Sequence, residues 1–313
     1  MNIKSIISED LRIPENLIDD AVLLARTQVK IFRINKRNGG KREIFHPSKK
    51  LKTLQYWLIY KVFNHMPVHT SAMAYRKGIS ILHNATQHKS NRFFLKMDFE
   101  NFFPSINFQD FIPLVRIWHQ LTKPHWYLDN NTEDFIRKVC FYRNDNLAIG
   151  YPSSPVISNI VMAEFDSKIS TLIMDKKYGE VTYTRYADDL IFSTNQKGAC
   201  VELKKDIASI VGALNSPRLL LNQAKTKLSS SASGSASVTG IKVCENGHLT
   251  IHRKQKDHIR LLLSLYKKGN LKTAEELSLL GHIGYCHHIA PEFYTQLLKK
   301  YFKEVNFLKI KHS

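Results

Sequence analysis

The segment TYTRYADDLIFST, residues 182–194, limits what this chain can become more than any other stretch. Aromatic, β-branched and apolar residues run up to two adjacent aspartates, Asp188 and Asp189, and away from them again. That is the pattern of a β-hairpin with both carboxylates at its tip. Two carboxylates so close repel each other unless positive charge sits between or beside them. A fold that carries this hairpin has to bring that charge to the tip.

The rest of the chain suggests how. Residues 1–30 read as short helices, and 29–46 as two strands joined by a turn at Asn38-Gly39-Gly40. Leu51, Leu54, Leu58 and Val62 recur at helical spacing and predict a helix over 49–65. RFFLKMDF, residues 92–99, is strand-like and ends on Asp98, and 107–142 is largely helical. Ser154-Pro155 opens a long helix, with serine as N-cap and proline in the first turn. Ile157, Ile160, Val161, Phe165, Ile169 and Ile173 supply its apolar face. A helix near 199–214 and a short strand near 219–222 follow the hairpin. SSSASGSAS, residues 229–237, reads as a polar, flexible connection. VTGIKV-ENG-HLTIH reads as another hairpin turning at Asn246-Gly247, and from about 252 onward the pattern is helical. The middle portion therefore approaches the βαββαβ order of a ferredoxin-like sheet, which brings a strand end and a hairpin tip to one edge. Such a sheet serves many functions and decides none alone.

Asp98 at its strand end and Asp188-Asp189 at the tip are three carboxylates converging from two elements, a site for hard divalent cations. With two Mg²⁺ about 3.5–4 Å apart, one lowers the pKa of an attacking hydroxyl and the other stabilises a leaving oxygen. Composition points the same way. Lys and Arg number 46 against 27 Asp and Glu, a net charge of +19 that suits a polyanionic partner, above all nucleic acid. The tail from 252 holds twelve basic and five acidic residues. No apolar run approaches the ~18 residues of a membrane span. Four scattered cysteines, Cys140, Cys200, Cys244 and Cys286, fit a reduced cytoplasmic protein.

Tyr-Ala-Asp-Asp at 186–189 resembles the signature tetrapeptide of reverse transcriptases. LKMDFENFFPSI resembles the segment with their first catalytic aspartate, AIGYPSSPVISNI (148–160) their Gly-x-Pro-x-Ser-Pro segment, and LLLNQAKTKL (219–228) their Leu-Asn-x-x-Lys-Thr motif. REIFHPSKKLKTLQYWL (42–58) and AYRKGISI (74–81) resemble the two finger motifs. Two further matches are to retron reverse transcriptases: HNATQH (83–88), carrying Asn84, Ala85 and His88, and Val238-Thr239-Gly240. The resemblance runs in order from about residue 30 to 245.

It implies an α+β, right-hand polymerase fold. Residues 1–90 would be N-terminal helices and fingers, 91–250 a ferredoxin-like palm, and 251–313 a basic helical thumb that binds RNA. Asp98, Asp188 and Asp189 would hold two Mg²⁺, assisted by the carbonyl of Phe99. Phe103 would pack under the incoming sugar and exclude a 2′-hydroxyl, with Phe102 in the core. Lys36 and Arg42, flanking the glycine turn, would hold the triphosphate, with Lys41 as a competitor for part of that role. Gly150, Tyr151 and Pro152 would bring backbone close to nucleotide and template. Ile149 departs from the family, which places glutamine there, and it cannot hydrogen-bond the nucleotide. Lys225 is either an electrostatic support for the aspartates or a surface lysine. Asn84 and His88 either contact RNA or pack an insertion.

The implied reaction is DNA synthesis from deoxynucleoside triphosphates on a cognate structured RNA (msr-msd). It is primed by a guanosine 2′-hydroxyl and yields branched RNA–DNA (msDNA) in anti-phage defence. A separate host RNase H and an effector protein would act alongside. The basic tail suits RNA phosphates and 2′-hydroxyls. Of its aromatics, Tyr285, Phe293, Tyr294, Tyr301 and Phe302, helical spacing places most in a core. His282, Cys286, His287 and His288 are the right types for zinc, but adjacent helical residues do not share a face. Alternatives are a reverse transcriptase related to those of group II introns and a polymerase-like RNA-binding scaffold without chemistry.

Overall fold

A computed structural model describes residues 1–35 and 39–312. The chain begins with α1 (Ile3–Leu11), capped by the Asn2 side chain, and α2 (Glu15–Leu23). β1 (Val29–Asn35) and β2 (Lys41–Pro47) pair antiparallel, Val29 opposite Pro47 and Asn35 opposite Lys41. Ser48 then caps α3 (Lys49–Lys61), accepting from the Leu51 amide. Leu51, Leu54, Trp57 and Leu58 form its buried stripe. α4 (Ile81–Gln87) carries a capping box between Ser80 and His83.

β3 (Phe93–Asp98), α5 (Phe108–Thr122), α6 (Asn130–Cys140), α7 (Ser154–Val161) and α8 (Ala163–Leu172) come next. They lead into the hairpin β4 (Val181–Tyr186) and β5 (Asp189–Thr194), followed by α9 (Ala199–Gly212) and β6 (Lys227–Ser230). The four strands lie in the order β4-β5-β3-β6, every neighbouring pair antiparallel. This is the expected ferredoxin-like order, with β3 and β5 in the middle. Phe94, Leu95 and Met97 of β3 and Leu190, Ile191 and Phe192 of β5 are buried.

β7 (Ser237–Val238), β8 (Ile241–Val243) and β9 (Leu249–Thr250) form a small separate sheet. α10 (Arg253–Lys267), α11 (Thr273–Ile289) and α12 (Pro291–Lys311) complete the chain. There are two main apolar clusters. One joins the N-terminal helices, α5–α9 and the sheet. The other joins the last three helices to β7–β9, Ala85 of α4 and one face of the sheet through Phe94 and Ile191. No described helix is long and apolar enough to cross a membrane.

Five expectations need correction. The helix opening at Ser154 is two helices that meet at Met162 (φ −80°, ψ −2°), and apolar periodicity runs through so short a break unchanged. Ser154 is the first helical residue rather than the cap, and its hydroxyl donates to the Ala148 carbonyl at 2.8 Å. Residues 219–222 make one isolated bridge, Leu221 with Phe99, and the edge strand lies at Lys227–Ser230. A short helical turn, Gln223–Lys225, separates the two, with Asn222 as its cap. Val238-Thr239-Gly240 is no strand interior: Thr239 (φ 46°) and Gly240 (φ 85°) turn the chain from β7 into β8. The serine-rich connection also contributes its ends to β6 and β7, and Ala236 within it is fully buried.

Candidate active site

Antiparallel register assembles the carboxylates. Asp98, last in β3, lies directly opposite Asp189, first in β5. Asp188 sits in the two-residue turn from β4, where Ala187 takes φ 58°. The Phe99 amide donates to the Asp188 carbonyl at 3.1 Å and the Asn222 amide to the Asp98 carbonyl at 2.7 Å, so backbone holds both ends of the cluster. Lys225 Nζ lies 2.8 and 3.0 Å from the two oxygens of Asp98. The helical turn after Asn222 delivers it there, so Lys225 pairs with Asp98. Lys96 Nζ donates to Asp189 Oδ2 at 2.8 Å.

Asp188 has no ion-pair partner among the described residues. Burial raises its pKa, and the neighbouring charges of Asp189 and Asp98 raise it further. Burial also raises Asp189, against the pull of Lys96. Among the described residues no three His, Cys, Asp or Glu side chains already close on one metal-sized point. The donor set nevertheless fits hard cations: the carboxylate oxygens face one edge, and two of the three residues bind ammonium groups, the charge a metal would supply.

The cluster opens into a cleft of about 560 Å³ lined by Lys41, Arg42, Phe103, Ile149, Asp188 and Lys225. Arg42 and Lys41 are exposed on β2 at its mouth. Lys36 lies outside the described residues. Phe103 is half-buried and faces the cleft, whereas Phe102 is buried, as expected. Phe99 is buried and stacks on Phe102 at 5.9 Å. Gly150 (φ 105°) is fixed by the β1–β2 hairpin: a Cβ there would meet the Phe45 carbonyl oxygen at 2.4 Å. The Phe45 amide donates to the Ile149 carbonyl at 2.7 Å, clipping β2 to this segment. The Tyr151 ring is buried 6.0 Å from Tyr142, and its hydroxyl has no partner among the described residues.

Sequence reasoning missed several supports. Lys96 was discoverable, because residues two apart in a strand share a face and Asp98 is two away. Tyr75 (φ 62°) stands 6.4 Å from Phe103, its pKa pushed up to about 12 by burial and then by the charge of Asp188. Arg185 is fully buried. It grips Asp166 through Nε at 2.9 Å and Nη2 at 2.7 Å, and Asn159 through Nη1 at 3.1 Å. Tyr183 donates to the same carboxylate at 2.6 Å. The Arg185 amide donates to the Ser71 carbonyl at 2.7 Å, and its own carbonyl accepts from Met73 at 2.8 Å. This network anchors the hairpin three residues below Asp188.

The two retron-type signatures lie together. Thr239 Oγ1 donates to the Ile81 carbonyl at 3.4 Å, and Ala85 and Val238 share a core. His88 is buried between Ser193 Oγ at 2.7 Å and Thr184 Oγ1 at 2.8 Å, one hydroxyl from each strand of the aspartate hairpin. Burial lowers its pKa to about 3, so the ring is neutral. Asn84 is fully buried with both amide atoms unpartnered. Asn84, Ala85, His88 and Val238 are thus buried, Thr239 is half-buried and Gly240 is exposed. The zinc-type residues do not assemble among the described residues: Cys286 is buried, and His287 packs on Tyr294 at 4.7 Å. Phe293 and Tyr301 are core and Tyr285 and Tyr294 half-buried, whereas Phe302 is 60% exposed.

Residues 34–283 match the family described as reverse transcriptase (RNA-dependent DNA polymerase). The retron Ec73 reverse transcriptase of Escherichia coli is 39% identical over 289 residues, 91% of this chain and 90% of that protein. The retron Ec83 reverse transcriptase of the same species is 32% identical over 291 residues, 90% of each. Among solved structures, apo telomerase from Candida Tropicalis superposes with a TM-score of 0.52 at 15% identity. It covers 92% of this chain and 59% of that one, a likeness of fold alone. With its right-hand polymerase fold of helices and sheet, the chain belongs to the retron-type bacterial reverse transcriptases, which are RNA-directed DNA polymerases.

Proposed function

We propose that this protein copies its own structured non-coding RNA into DNA. It starts from a guanosine 2′-hydroxyl of that RNA, and the branched RNA–DNA product serves in defence against phage. The observation that carries the catalytic part is the register that sets Asp98 against Asp189 with Asp188 at the tip, beside one cleft that Lys41, Arg42 and Lys225 also line. The retron names of the relatives support the choice of RNA, primer and product.

In this reading Asp98, Asp188 and Asp189 would hold two Mg²⁺, assisted by the Phe99 carbonyl. Ions held there would activate the attacking hydroxyl and stabilise the departing pyrophosphate. Lys225 and Lys96 keep Asp98 and Asp189 oriented. Arg42 and Lys41 receive the triphosphate at the cleft mouth, and Lys36, outside the described residues, is assigned the same role by family resemblance alone. Phe103 closes the floor under the sugar and excludes a 2′-hydroxyl by size. Ile149 offers the nucleotide an apolar side chain on the cleft wall, and Gly150 and Tyr151 hold the backbone behind it. Residues 1–90 act as fingers, 91–250 as palm and 251–313 as an RNA-gripping thumb. A host RNase H and an effector protein complete the system, in the cytoplasm.

The test is to express the protein with its flanking locus, purify it, extract bound nucleic acid, digest with RNase and resolve single-stranded DNA. A discrete band in wild type, absent from Asp188→Ala/Asp189→Ala and carrying a residual branched nucleotide at its 5′ end, is expected. Bound RNA without DNA in either sample overturns the proposal in favour of an RNA-binding scaffold.

A further inference from the structure

α3 places Lys52, Tyr56 and Tyr60 four residues apart, on one stripe of its surface. Tyr56 is 46% and Tyr60 63% exposed, yet their rings stack on each other 6.2 Å apart at 17°. The stripe continues onto the finger hairpin. Lys52 Nζ lies 2.9 Å from His46 Nε2, and the His46 ring meets Phe32, itself 49% exposed, edge-on at 6.0 Å. α3 contains Lys49, Lys50, Lys52 and Lys61 and no carboxylate. Two acids of this region are engaged with other cations, Asp10 with Lys61 at 3.1 Å and Glu43 with Arg33 at 3.0 Å.

Lys52 and Tyr56 also line a second cleft of about 340 Å³. Tyr75, Phe103 and Ile149 separate it from the aspartate cleft and line both. The ridge is thus continuous with the candidate active site, on the finger side. Exposed rings beside lysines suit a ligand with flat π-faces and a polyanionic backbone, which is unpaired nucleic acid. A duplex hides its base faces in the stack and cannot use such a surface.

We propose that Lys52, Tyr56 and Tyr60 form a stacking platform for the unpaired template RNA that has yet to be copied. This rests on the polymerase reading above. The template leaves the platform, crosses the Tyr75–Phe103 wall and pairs in the aspartate cleft.

The test uses the full chain with a DNA primer on an RNA template whose 5′ overhang is either one nucleotide or long. The affinity ratio between the two overhangs, read by fluorescence anisotropy, is compared among three proteins. Wild type prefers the long overhang by at least about fivefold. Tyr56→Ala/Tyr60→Ala removes that preference, and Tyr56→Phe/Tyr60→Phe, which keeps the rings, retains it. Because the ratio is taken within each protein, a folding defect, which weakens both complexes, does not mimic the effect. A full preference surviving in the alanine pair, or none in wild type, overturns the platform. Single-nucleotide incorporation by wild type on the short overhang is scored separately. Incorporation without an overhang preference rejects the platform and leaves the polymerase standing; no incorporation rejects the polymerase reading itself.

Discussion

Asp188 carries the least compensated charge of the aspartate cluster. Burial, and then the negative charges of Asp189 and Asp98, hold its pKa above the ordinary carboxylate value. The sign follows from linkage. An acid whose folded pKa exceeds its unfolded one favours folding while neutral, and that advantage is lost as pH rises through the folded value. At neutral pH without divalent ions the charge therefore works against the fold. Asp188→Asn should raise the thermal midpoint measured in chelator, by a free energy on the order of 1 kcal/mol, while DNA synthesis falls about a hundredfold or more. A lower midpoint would refute the repulsion account. In chelator, the thermal midpoint of wild type should fall as pH rises above the usual carboxylate range, as Asp188 and Asp189 ionise.

Between elements, one imidazole and one glycine do much of the fastening. His88 ties the end of α4 to both strands of the hairpin and stays neutral until about pH 3, against 6.5 when unfolded. Between those values the unfolded chain binds a proton that the folded one refuses. Stability drawn from this group should thus fall by up to about 1.4 kcal/mol per pH unit as pH drops below 6.5. Melting curves of wild type and His88→Gln across that window should diverge; parallel curves would sink the claim. Gly150→Ala should cost about 2 kcal/mol or more, because the new Cβ strikes the Phe45 carbonyl at φ 105°. Denaturant melts test that, and a raised KM for nucleotide should accompany it as β2 is pushed away. The hairpin, the Asp98 strand and the βαββαβ order were legible because strand period and adjacent charges are local signals. Lys225 was half legible, its motif visible and its delivery by a helical turn not. Arg185 and Asp166 were hidden: both lie in segments read as strand or helix, and periodicity does not say which buried polar groups meet across 19 residues. The contacts of His88 span 96 and 105 residues, so the motif could be matched without its role being visible.

For the molecule as a whole, a net charge of +19 makes electrostatics the first term in RNA binding. Affinity for RNA should fall log-linearly with salt, with a slope near −4 if about six phosphates are neutralised. A nearly flat salt response would instead place the binding in stacking and shape. Many of the positive groups ride on α10–α12, and those helices share their core with β7–β9 and Ala85 of α4. Thr239 and Ile81 close that contact across 158 residues. The consequence concerns inheritance. The C-terminal quarter is not a portable cassette, because part of its interior is encoded near residue 85. A single crossover in the serine-rich stretch between this chain and a relative should yield a poorly packed hybrid. Transferring residues 81–88 in the same exchange should restore its melting temperature, so the two segments are expected to travel between lineages as a pair.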